Sequence, residues 1–120
     1  MKNSRIRYSV KINGANTIYV SMSRTVLGVI KTICKNSNYS ENELRLIFPD
    51  SITQEVTPEF RKFKTVFIEA DKAVPHDFFI KEPIHLKDKV IVITNQWNSS
   101  SFNNFTTVVK KQFNIDIIEN

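Results

Sequence analysis

The side chains able to do chemistry in this chain are few and scattered: Asp50, the run Glu69-Ala70-Asp71-Lys72, His76, His85 and a single cysteine, Cys34. Asp50 with Glu69, Asp71 and Lys72 has the residue types of a metal-dependent nuclease, in which carboxylates hold the cation and a lysine meets the scissile phosphate. That chemistry wants acid and lysine two apart on one strand, so that alternation turns both to one face. Here Lys72 follows Glu69 by three residues and adjoins Asp71, which turns it away. His76-Asp77 and His85, with Glu82 and Asp88 nearby, carry imidazoles and carboxylates suited to a metal or a general base. Pro83 lies between the histidines, so no local geometry joins them, and surface loop positions are expected. No serine or cysteine marks a nucleophile triad, and two glycines in the whole chain leave no glycine-rich phosphate loop. One cysteine excludes an intramolecular disulfide or a multi-cysteine zinc site, and Cys34 is expected to pack as a small core residue. The expectation is a non-enzyme without metal or cofactor.

A different feature organises the sequence. Residues 1–40 carry seven basic residues and no Asp or Glu, whereas from Glu41 onward the charges nearly balance. An ordinary soluble face mixes both signs, and a one-sign field serves steering or binding. The net charge of +5 agrees with a nucleic acid, an anionic membrane surface or an acidic protein as partner. No run approaches the roughly 20 apolar residues that span a bilayer. The basic stretch Met1–Lys11 is not followed by a signal-peptide apolar region, so a cytoplasmic location without a membrane partner is expected. The predicted nucleic-acid-binding residues are Arg5, Arg7, Lys11, Arg24, Lys31 and Lys35, with a second cluster at Arg61, Lys62 and Lys64. Such contacts neutralise phosphates and position the chain without reading sequence. Phe78, Phe79 and Trp97 are candidates for stacking on unpaired bases, against the commoner role of core aromatics. The alternative is a protein-interaction module that docks an acidic partner or self-associates as a homodimer.

The elements that must position these residues follow from periodicity. Ile6, Tyr8, Val10 and Ile12 alternate with Arg5, Arg7, Ser9 and Lys11, which predicts a strand with a basic outer row. Asn13-Gly14-Ala15-Asn16 turns the chain and Thr17–Val20 returns as the second strand of a hairpin. Ser23 is expected to cap a helix over Arg24–Lys35, with Val26, Leu27, Val29, Ile30, Ile33 and Cys34 on one arc, Arg24, Lys31 and Lys35 opposite, and Gly28 leaving room for close approach. Ser40 and Glu43 form a capping box for a short helix, Glu41–Phe48, stopped by Pro49. Its acidic first turn is unsuited to a helix-turn-helix recognition element. Pro49–Thr57 is a loop, and Thr57-Pro58-Glu59 opens a further helical turn. Strands are expected at Thr65–Ala70, Phe78–Lys81 and Val90–Ile93, the last the most buried. One of Ser99–Ser101 caps a final helix carrying Phe102, Phe105, Val109 and Phe113 on one face, and Phe113–Ile118 ends as a short strand or tail. The result is one α+β domain over residues 1–120: an N-terminal β-hairpin, two or three helices packed on a small, mainly antiparallel sheet, and a C-terminal helix.

The run Asp77-Phe78-Phe79-Ile80-Lys81-Glu82-Pro83-Ile84, then Val92-Ile93-Thr94-Asn95-Gln96-Trp97 and a helix ending Phe113-Asn114-Ile115, resembles the close of a small uncharacterised prokaryotic domain. The resemblance covers residues 77–118 and part of 24–35, and departs at Asn98, where Gly commonly follows the Trp. It implies a compact α+β domain of a bacterium or phage and supplies no catalytic residues.

Overall fold

The computed structural model describes residues 6–53 and 65–120. Arg5, the Thr57-Pro58-Glu59 turn and the Arg61, Lys62 and Lys64 cluster lie outside the described residues.

The first strand, β1 (Tyr8–Ile12), buries Tyr8 and Val10 and exposes Lys11, as its alternation requires. Asn13 and Gly14 take φ of 50° and 82°, the positive values of a tight two-residue hairpin turn. That turn is shorter than the predicted four-residue one, because Ala15 and Asn16 already pair with Ile12 and Lys11 and belong to β2 (Ala15–Tyr19).

Helix α1 (Met22–Asn36) starts one turn-edge earlier than expected. Ser21, not Ser23, is its cap and accepts from the Arg24 amide at 3.1 Å. Ser23 lies inside the first turn, where its hydroxyl donates to the Asn95 carbonyl at 2.8 Å and ties the helix to the far end of the chain. Helix α2 (Glu41–Ile47) has the predicted reciprocal box between Ser40 and Glu43. A 3-10 turn follows at Asp50–Ile52.

The next strands are β3 (Phe67–Glu69), β4 (Ile84–His85) and β5 (Val90–Ile93). The predicted strand at Phe78–Lys81 is reduced to a single bridge between Phe78 and Thr94, and pairing resumes only beyond Pro83, which cannot donate to a ladder. Helix α3 (Ser99–Phe113) is capped by Asn98, and none of Ser99–Ser101 is the cap. The Asn98 side chain accepts from the Ser101 amide at 2.9 Å while the Ser101 hydroxyl accepts from the Asn98 amide at 3.1 Å. Asn114 ends α3 in the left-handed region (φ 55°) and turns the chain into β6 (Asp116–Glu119).

The strands form two antiparallel three-stranded sheets rather than one, in the orders β2-β1-β6 and β3-β5-β4. The C-terminal strand closes on the N-terminal one, with Tyr8 opposite Glu119 and Lys11 opposite Asp116. Central β5 buries Ile91, Val92 and Ile93, in line with its continuous apolar run. One core joins both sheets to the helices through Val26, Ile30, Leu44, Phe67, Ile93 and Phe105. Phe48 stacks on Phe105 at 5.5 Å between centroids, and Trp97 meets Phe105 edge-on at 5.7 Å while its indole N–H donates to the Thr94 carbonyl at 2.8 Å. Trp97 is thus a half-buried core aromatic and not an exposed stacking surface. Among the described residues no helix is long and apolar enough to cross a membrane.

Candidate anion-binding site

Arg24, Lys31 and Lys35 stand on α1 at offsets of seven and eleven residues, which at 3.6 residues per turn keeps them within about 40° of one another around the axis. The apolar arc on the other side of the helix, Val26, Val29, Ile30 and Ile33, is buried and fixes this stripe toward solvent. Two adjoining hollows run beside it. One, of about 300 Å³, is lined by Tyr19, Arg24, Leu27, Gly28, Lys31, Thr32 and Glu82. The other, of about 290 Å³, is lined by Lys31, Thr32, Cys34, Lys35, Pro83, Ile84 and His85. They share Lys31 and Thr32, so together they form a trough walled by α1 on one side and by the segment from Glu82 to His85 on the other.

The end of the trough at Gly28 is closed by a side chain. A Cβ on Gly28 would overlap the ring of Tyr19, so the room that glycine leaves is taken by the neighbouring strand of the hairpin. Thr32 spends its hydroxyl proton on the Gly28 carbonyl at 2.9 Å, leaving its oxygen as part of the wall.

Glu82 is the one acid among the described residues that lines either hollow. It accepts from the Arg24 guanidinium and from the Lys31 ammonium at 3.4 Å, and the hydrogen bond from Arg24 holds its carboxyl below the ordinary 4.5. The Arg24 guanidinium also lies over the Phe79 ring, 5.0 Å from its centroid. Both cations keep nearly half of their side-chain surface exposed, so water screens these pairs and each is worth no more than about 1 kcal/mol. Arg24 and Lys31 thus converge on one anionic group. Lys35 forms no ion pair among the described residues.

The basic residues of the hairpin belong to another surface. Tyr8 and Val10 point into the layer that α1 packs against, so Arg7 and Lys11 project from the opposite face of the sheet. The expected single basic face is therefore two, because the strand and the helix bury their apolar sides against each other. Lys11 is also cross-strand to Asp116, which accepts from Lys110 at 2.7 Å. On the same outward face, Ser9 is flanked across the sheet by Ile18 and Ile118, exposed by 55% and 54%.

The nuclease-like residues are occupied elsewhere. Asp50 accepts from Arg45 at 3.1 Å and from the Thr65 hydroxyl, and Arg45 further donates to Glu41 and to the Phe67 carbonyl while stacking 4.1 Å above the Phe67 ring. Glu69 ends β3 and pairs with Lys89 at 3.0 Å and Lys72 at 3.7 Å. The hydrogen bond from Lys89 lowers the Glu69 pKa and raises that of Lys89 in turn. His76 sits in an exposed loop, whereas His85 lies on β4 and lines the trough, a placement not foreseen from the sequence. No group of three or more His, Cys, Asp or Glu among the described residues is arranged to hold a metal. Burial pushes the Cys34 thiol up to about 11, which leaves it protonated at neutral pH. Sequence reasoning considered His85 and Glu82 only for metal or general-base chemistry and did not place them, or Tyr19, beside the cations of α1.

Searches against protein-family models, curated proteins and solved structures give no match to this chain.

Proposed function

We propose that this chain is a non-enzymatic binding domain for a nucleic-acid backbone, which enters the trough along α1 and meets Arg24, Lys31 and Lys35. The observation that supports this reading is the alignment of those three cations beside two joined hollows whose single acid among the described residues, Glu82, already acts as an internal stand-in for an anion. A phosphate entering the trough takes Glu82's place on Lys31 and shares Arg24 with it. His85, at the Lys35 end, adds an imidazole N–H toward the same oxygens.

The test is fluorescence anisotropy with labelled duplex DNA, single-stranded DNA and RNA at several salt concentrations. Lys31→Gln combined with Lys35→Glu is expected to lower affinity at least tenfold, while Arg7→Glu with Lys11→Glu on the other face changes it little. Equal loss from both pairs, or no binding by the unaltered chain at low salt, contradicts the reading.

The outward face of the hairpin sheet supports a second reading, docking of an acidic protein. Exposed Ile18 and Ile118 lie between Arg7 and Lys11, an apolar centre with a charged rim of the kind found in protein interfaces. A chain indifferent to nucleic acid at every salt concentration favours this reading.

A further inference from the structure

The two edges of the hairpin sheet are protected very differently. The β6 edge carries Asp116 and Glu119, whereas β2 (Ala15–Tyr19) has no charged residue and no proline, and Ala15 to Ile18 are all exposed. Natural edge strands usually carry charge, proline or a bulge, because an unprotected edge is a template for another strand. No described strand pairs with the outer side of β2. In a two-residue hairpin the residues flanking the turn, here Ile12 and Ala15, form a hydrogen-bonded pair. Alternation then directs the amides and carbonyls of Ala15, Thr17 and Tyr19 toward β1 and those of Asn16 and Ile18 outward.

We infer that β2 pairs antiparallel with β2 of a second copy of this chain, about a two-fold axis at Thr17, to make one continuous six-stranded sheet. The inference is independent of the trough. In this register Asn16 exchanges both hydrogen bonds with Ile18 of the second copy, and the reverse, while Thr17 faces its own counterpart in a non-hydrogen-bonded position. The strand is self-complementary there: Ala15 meets Tyr19, Asn16 meets Ile18, and no charge meets a like charge. That matters for a chain of net charge +5. The two Lys11 side chains stand three strand spacings apart, about 14 Å, beyond the Debye length of about 8 Å at physiological salt. On the inner side, Arg24 and Lys31 share the single carboxylate of Glu82, which offsets one of their two charges. A second copy fits this edge better than head-to-tail pairing of β2 with β6, since a closed two-fold contact stops at two chains and an open one grows into a fibre. Ile18 of each copy lies diagonal to the other across the axis, so half-exposed apolar surface is covered on both. Two five-residue edges make a small interface, so the dimer is weak and concentration-dependent.

The test is cysteine cross-linking in a Cys34→Ala chain. A non-hydrogen-bonded antiparallel pair holds its Cα atoms about 4.5 Å apart, within the roughly 4.4–6.8 Å that a disulfide spans. Thr17→Cys is expected to form a disulfide-linked dimer under mild oxidation at least tenfold faster than Ser9→Cys, which points from the outward face. Sedimentation of the unaltered chain is expected to show a monomer–dimer equilibrium across the micromolar range, abolished by Ile18→Lys, which sets two lysines diagonally across the axis. Cross-linking of Thr17→Cys no faster than of Ser9→Cys, a monomer at every concentration, species larger than a dimer, or a dimer that survives Ile18→Lys each overturns the inference.

Discussion

The ring of Tyr19 occupies the volume that a β-carbon on Gly28 would fill, so β2 reaches α1 at the one helical position with no side chain. Gly28→Ala should therefore destabilise the fold despite a gain in helix propensity of about 1 kcal/mol, because displacing the ring costs about 1–3 kcal/mol in an overpacked contact. A net loss of about 1 kcal/mol is expected by chemical denaturation. In a Tyr19→Ala background the sign should reverse, with Gly28→Ala stabilising by about 0.5–1 kcal/mol. The same sign in both backgrounds would show that the two residues are not in contact.

Arg45 is the second fixed point. Its guanidinium joins Glu41, Asp50, Thr65 and the Phe67 carbonyl, and stacks on the Phe67 ring. Arg45→Met keeps the stem and removes these bonds, at an expected cost of about 2 kcal/mol. Arg45→Lys should recover only part of that, since an ammonium cannot reproduce the planar fork. A thermal melt distinguishes these, and an unchanged midpoint in Arg45→Met would remove the network from the account of stability.

Much of this architecture is legible in the sequence, and the exceptions share a cause. The hairpin, the three helices, buried β5 and the Ser40–Glu43 box depend on neighbours a few residues apart, and such signals are local. Ser21 and Ser23 can both cap α1 as far as local chemistry goes. What separates them is the Asn95 carbonyl, which takes the Ser23 hydroxyl from 72 residues away. Likewise the acid-free character of residues 1–40 is a property of the chain and not of the surface. Glu82, 58 residues beyond Arg24 and 51 beyond Lys31, neutralises part of that stretch, and Asp116 is brought opposite Lys11 by a strand at the other end of the sequence. Nothing near these acids in the sequence marks those partners.

Cys34 lines the trough, yet its thiol is held up near 11 by burial. At pH 8 its alkylation by iodoacetamide should run on the order of a hundredfold slower than that of an unperturbed cysteine, whose pKa is about 8.5. The rate should keep rising as pH approaches 11. A plateau already by pH 9 would show an ordinary exposed thiol.

Acid should weaken the Glu82 bridge in a defined direction. Its carboxyl titrates below 4.5 in the folded chain, through the hydrogen bond from Arg24. A depressed carboxyl contributes stability that is present above the unfolded value and is lost as pH falls through the folded one. Unaltered protein should therefore be more stable than Glu82→Gln at pH 7, and the difference should vanish on descent below 4.5. A difference that persists or grows in acid would contradict the bridge.

The most direct test of the trough as a polyanion site is the salt dependence of duplex DNA binding by Glu82→Gln against the unaltered chain. The variant removes the internal competitor from Arg24 and Lys31. Each phosphate newly neutralised adds about 0.9 to the slope of log K against log salt, so release of Arg24 and Lys31 predicts tighter binding with a slope steeper by about one to two such increments. Weaker or unchanged binding with the same slope would contradict the central claim and leave Arg24 and Lys31 as partners of Glu82 alone.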